Sequence, residues 1–270
     1  LGEVIKAALD NHTEHLVISL GGIGSFDGGA GMLQALGATF YDDEAQIVDM
    51  RKGADLIKYI RRIDLSGVHP QLAKVNIQLM SDFSSRLYGK KSEIMQTYES
   101  LELSQNEAAE IDNLIWYFSE LFKNELKIAM GPIERGGAGG GIAAVLNSLY
   151  QAEILTSHEL VNQITHLENL IQQADLIIFG EGLKEEDQIL ETTTIRIAEL
   201  TQQYNKPAIA ICATNDKFDL FESLNVTAMF NTFIDMPDSY TDFKMGIQIR
   251  HYTVQALKLL KTQINLPLSS

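Results

Sequence analysis

His15-Leu16-Val17-Ile18-Ser19-Leu20-Gly21-Gly22-Ile23-Gly24-Ser25-Phe26-Asp27-Gly28-Gly29-Ala30-Gly31-Met32-Leu33-Gln34-Ala35-Leu36-Gly37 reads as three pieces. The β-branched run 15–20 predicts a short buried strand. Residues 21–31 turn the chain on glycines. Residues 32–37 begin a helix, with Gly37 as its stop. A strand, a glycine turn and a helix in that order can hold an anion. Glycines let backbone N–H groups come close, and a helix N-terminus adds free donors and partial positive charge. Gly21, Gly22, Ser25, Gly28, Gly29 and Gly31 are the candidate ligand-binding residues. The spacing is neither GxGxxG nor GK[ST], so a tight turn that packs a helix on a sheet is an equal alternative. Asp27 is a candidate for holding a metal or a substrate hydroxyl, or is simply a helix N-cap.

On either side the pattern stays α/β. Val4, Ile5, Ala8 and Leu9 give a helix over residues 2–9. Residues 53–60 predict another helix, 63–67 a loop, and 75–80 a strand running into Ser81-Asp82-Phe83-Ser84-Ser85. Ser104 with Glu107 is a capping box that opens a long amphipathic helix to residue 128, with Trp116, Phe118, Leu121 and Phe122 as core. Helices are expected at 142–150 and 160–173. Then strands (175–179, 207–213, 228–233) alternate with helices (193–204, 218–224, 252–263), which argues for a parallel Rossmann-like sheet. The expected fold is α/β in two domains: a mixed α/β domain over residues 1–172 and a Rossmann-like domain over 173–270.

The chain has 270 residues, 45% hydrophobic and 21% charged, enough to bury a core. A net charge of −15 disfavours nucleic acid and anionic membranes as partners. It does not exclude a small anionic substrate held by local backbone donors. One cysteine, Cys212, makes no internal disulfide or zinc cluster and reads as core. No stretch has the length of a membrane span and no leader is visible, so the cytoplasm is the expected location. An oligomer is left open.

Three further segments can carry chemistry. Gly136-Gly137-Ala138-Gly139-Gly140-Gly141 runs straight into an apolar helix, so Gly137, Gly139, Gly140 and Gly141 form a second candidate anion loop, with Arg135 before it. Gly180, Glu181 and Gly182 close a strand, and the acids that follow, Glu185 among them, are candidates for Mg²⁺. The plainer alternative there is a solvated helix start. Asp82 also ends a strand and is the candidate base for a substrate hydroxyl, with an Asx-turn as its alternative.

Taken in order, these segments resemble the glycerate kinase family. Residues 21–37 resemble its GGSATNDGGAGMLQALG, Arg62-Ile63-Asp64-Leu65-Ser66-Gly67 its RIDLSG, residues 137–141 its GAAGGLG, and residues 174–182 its ADLVITGEG. The resemblance implies two α/β domains with a site between them, and ATP- and Mg²⁺-dependent phosphorylation of glycerate or a related small hydroxy acid. The alternative is an impaired relative that binds a small anion without catalysis. The family's N-terminal motifs have no counterpart after Leu1, so a preceding segment that completes the Rossmann-like sheet is expected. Several polar positions differ. The family's loop asparagine is Phe26, the second acid of its CDVDNPL is Ser84, and the lysine of its GK pair is Thr192. These differences imply weak activity and an anion held by the loops, not by lysine.

Overall fold

The computed structural model describes residues 1–21, 24–181, 193–212, 218–231 and 242–263. The chain divides into two compact units, Leu1–Ser157 and His158–Ser270.

In the first unit the order is α1 (Gly2–Asp10), β1 (His15–Ser19), α2 (Ala30–Ala35), β2 (Thr39–Tyr41), β3 (Arg62–Asp64), β4 (Asn76–Met80), α3 (Glu93–Thr97), α4 (Gln105–Leu126), α5 (Ile142–Tyr150) and β5 (Glu153–Leu155). Strands β1, β4 and β5 form a parallel sheet in the order β1-β4-β5, with Ile18 beside Leu79 and Leu79 beside Ile154. Strands β2 and β3 pair antiparallel. Residues 62–64, expected in or beside a loop, are thus a strand, because Phe40 and Ile63 pair across it and both are buried. The helix expected at 53–60 is a 3-10 helix, Ala54–Tyr59. Strand β1 is less buried than its composition suggests: only Ile18 of its five residues is fully covered. It is an edge strand with one face to the core, which explains the exposed Val17.

Helix α4 begins at the expected capping box, with the Ser104 and Glu107 side chains each bonded to the other's backbone. Phe118 and Phe122, one turn apart, are fully buried and pack edge-on at 4.9 Å, and Phe118 meets Phe40 at 5.8 Å. Trp116, expected in the core, is 48% exposed. Two residues before Phe118 is about 200° around a helix, so it lies on the opposite face.

The second unit is built from α6 (Ser157–Thr165), whose first residue closes the first unit, then α7 (Leu167–Gln173), β6 (Ile177–Glu181), α8 (Thr193–Gln203), β7 (Ala208–Cys212), α9 (Phe218–Ser223), β8 (Ala228–Asn231) and α10 (Asp242–Gln263). The single helix expected over 160–173 is broken at His166, which takes a left-handed φ of 53°. Both pieces fall almost wholly in the second unit, although the sequence grouped them with the first. Tyr204 of the segment after α8 donates to Glu168 of α7 and ties that helix to the second core. Strands β6, β7 and β8 are parallel, as the alternation predicted. Every residue of β7 is buried, because helices cover both faces. Ala208, Ala210 and Cys212 pack with Phe179, Ala198 and Phe221, and Ile209 and Ile211 pack with Ala256 of α10. Cys212 is a core residue, as expected. Among the described residues no helix is long and apolar enough to cross a membrane.

Candidate functional site

In the first unit the parallel sheet sets the geometry. The first glycine loop follows β1, and Asp82 follows β4, its hydrogen-bonded neighbour. Both therefore leave the carboxyl edge of one parallel sheet, where α/β proteins place their ligands. The second glycine loop arrives at the same edge through direct backbone contact. Gly28 N–H donates to the Gly140 carbonyl at 2.9 Å. Gly140 has φ +64°, and a Cβ there would stand 1.6 Å from the Ser25 carbonyl oxygen. A Cβ on Gly141 would stand 2.7 Å from the Gly28 Cα. No side chain fits at either position, so the two loops interlock main chain to main chain, a contact their separate compositions did not reveal.

The donors of the first loop are turned inward. Asp27 Oδ1 accepts from Gly29 N–H at 2.9 Å and Oδ2 from Gly31 N–H at 2.8 Å. Asp27 thus caps α2, and with Ser25 and Gly31 it lines a cleft of about 1080 Å³ that also holds Lys6 and Arg51. Gly21 is exposed at the end of β1, and Gly22 lies outside the described residues.

The second loop is more selective. Gly137 N–H donates to the Ser85 carbonyl, Gly141 to Gly137, Ile142 to Gly139, Ala143 to Ala138 and Ala144 to Gly136. The Gly140 N–H points elsewhere and donates to Glu93 Oε2 at the start of α3 at 3.2 Å, with the Gly139 N–H beside the same carboxylate. Burial pushes the Glu93 carboxyl above the ordinary glutamate value of 4.5, and these two N–H groups offset the rise only in part. Sequence reasoning missed Glu93. Its one local signal is the N-cap at Ser92, whose Oγ accepts from Met95 N–H, and that says nothing of a partner 47 residues away. Beside Gly137 sits Ser85, 2% exposed, whose Oγ has no hydrogen-bond partner among the described residues.

Asp82 is half-buried, and its Oδ1 accepts from Ser157 N–H at 2.6 Å. Ser81 beside it is buried, with its hydroxyl bonded to the Phe83 backbone. Phe26, where the resembled family has an amide, packs against the core. In the second unit Gly180 and Glu181 close β6, as expected, and Glu181 accepts from the Thr194 hydroxyl. Gly182, Glu185 and Thr192 lie outside the described residues. Among the described residues no three His, Cys, Asp or Glu side chains converge as a cation shell would.

The model of the "Glycerate kinase family" matches residues 1–249. A glycerate kinase of Halalkalibacterium halodurans is 30% identical over 213 residues, covering 79% of this chain and 56% of that protein. Glycerate 2-kinase of Escherichia coli is 29% identical over 231 residues, covering 85% of this chain and 60% of that protein. The chain thus spans less than two thirds of the length of these two relatives. A crystal structure from Salmonella typhimurium, of a protein assigned as glycerate kinase 2, superposes with a TM-score of 0.79 at 27% identity, over 98% of this chain and 69% of that one.

Proposed function

The chain belongs to the glycerate kinase family, and from that premise we propose that it serves ATP-dependent phosphorylation of glycerate or a closely related small hydroxy acid. The observation that carries the proposal is the interlock of residues 24–31 with 136–141 at the carboxyl edge of β1 and β4, the edge from which Asp82 also leaves. When bound, ATP supplies the phosphoryl group that is transferred. In such reactions the protein acts chiefly by positioning groups and neutralising charge.

The residues fit a phosphate group. Gly139 and Gly140 aim N–H donors away from their own helix, and Ser85 offers a buried hydroxyl without a partner. Gly137 ties that turn to the Ser85 carbonyl, and Gly141 closes it on Gly137. Asp82 is the proposed base. Its Oδ1 is fixed by the Ser157 N–H, and Oδ2 is assigned to take the proton of the acceptor hydroxyl. Asp27 acts through its cap on α2, keeping the Gly28–Gly140 contact in register. Gly180, Glu181 and Gly182 are proposed to bind ligand, and Glu185 is the proposed Mg²⁺ ligand. That assignment rests on sequence alone, since no cation shell forms among the described residues.

The test is an ADP-release assay with ATP and Mg²⁺, run with and without glycerate. Glycerate-dependent release is expected. ATP turnover that ignores every small hydroxy acid offered, or no turnover at all, would remove the proposal.

A further inference from the structure

We infer that the Glu93 carboxylate is an internal occupant of the anion position on the second glycine loop, so that a phosphate group is held by Gly139 and Gly140 only when Glu93 has left. The inference rests on the reading of this loop given above and names what controls it.

Three observations carry it. First, the loop's other N–H donors are taken by the carbonyls of Ile133, Arg135, Ser85 and Gly137, so Gly139 and Gly140 are where it can receive an anion. Second, what they receive is a carboxylate brought from α3, at 3.2 Å from Gly140 N. Burial disfavours its charge by more than the two N–H groups restore. Third, Ser85 keeps a buried hydroxyl with no partner among the described residues, facing Gly137 at the entry to the same loop. The carboxylate takes the Gly140 N–H and lies beside that of Gly139. A phosphate has further oxygens, and one of them can accept from Ser85. The geometry is that of a seat filled by a smaller anion than the one it suits.

Binding to a protein whose competent state is only fractionally populated is weakened by that fraction. Removing Glu93 therefore raises phosphate affinity. The experiment titrates inorganic phosphate into the purified protein by calorimetry and follows the Gly139 and Gly140 amides by ¹H–¹⁵N NMR. Glu93→Ala is expected to bind phosphate about tenfold more tightly than the parent, equivalent to about 1.4 kcal/mol. Both amides are expected to move. Glu93→Gln keeps the shape, loses the charge, and should also tighten binding. It serves as the readout if the alanine variant does not fold. Adding Ser85→Ala to either variant should weaken binding again. Phosphate affinity in both Glu93 variants equal to or below that of the parent overturns the inference, as does phosphate that moves amides elsewhere. Failure of both variants to fold overturns it too, since Glu93 is then structural. The kinase reading fails separately: a parent protein without glycerate-dependent turnover, whose Glu93 variants nonetheless gain phosphate, loses that reading and keeps this one.

Discussion

Gly140→Ala should loosen the first unit more than any neighbouring glycine change, and the structure sets the size of the effect. The new Cβ would lie 1.6 Å from the Ser25 carbonyl oxygen and 2.9 Å from the Phe26 Cα, so backbone has to move. Alanine at φ +64° carries a further cost of about 1–2 kcal/mol. Separating the loops also strains the 2.9 Å bond from Gly28 to Gly140, a contact worth about 1 kcal/mol. A loss of about 2–4 kcal/mol follows, which for a protein of this size lowers the melting temperature by roughly 5–15 °C. Gly24→Ala is the control. A Cβ there meets nothing within 4 Å and φ is not left-handed, so the melting temperature should hold within about 1–2 °C. Calorimetric melts of the parent and both variants decide the matter. If Gly140→Ala melts with the parent, the interlock of the two loops is not a structural constraint, and the argument for a shared site falls with it.

Stability should also respond to pH through Glu93. Its folded pKa is raised, so its contribution is fully present below the ordinary value of 4.5 and is lost as pH rises through the folded value. Urea unfolding at a series of pH values should show that decline in the parent and a flatter curve in Glu93→Gln, and identical curves would contradict it. Phe118→Ala should cost about 3–5 kcal/mol, since the ring is fully buried between Phe40 and Phe122, while Trp116→Ala should cost under about 1 kcal/mol. Equal losses on denaturation would mean that the faces of α4 are misassigned. Restoring Phe26→Asn, Ser84→Asp and Thr192→Lys together should raise turnover by about 10²-fold or more if those positions hold transition-state contacts. Unchanged turnover would show that the substitutions carry no catalytic cost.

What could be read from the sequence was what local chemistry dictates. The capping box at Ser104 and Glu107, the glycine stop at Gly37 and the buried β7 run all appear as expected. Failures arose where tertiary context decides. His166 breaks a helix through a backbone conformation no apolar pattern announces. Trp116 is apolar yet outward, because helix phase, set by Phe118 and Phe122, outranks composition. Three-residue strands such as β2 and β5 are too short to show a period and exist because a neighbour pairs with them. At the site, both glycine loops and Asp82 were legible as strand ends and helix starts. Their meeting was not, nor was Glu93, whose partner lies across the fold.

The most direct test of the account is the kcat of Asp82→Asn for glycerate-dependent ADP release, measured beside the parent. Asparagine keeps an Oδ1 that can accept from the Ser157 N–H, so the melting temperature should hold while the base is lost. A fall in kcat of about 10²–10⁴-fold with the fold intact is expected. A variant that folds like the parent and turns over at the parent's rate would contradict the placement of the catalytic centre at this sheet edge.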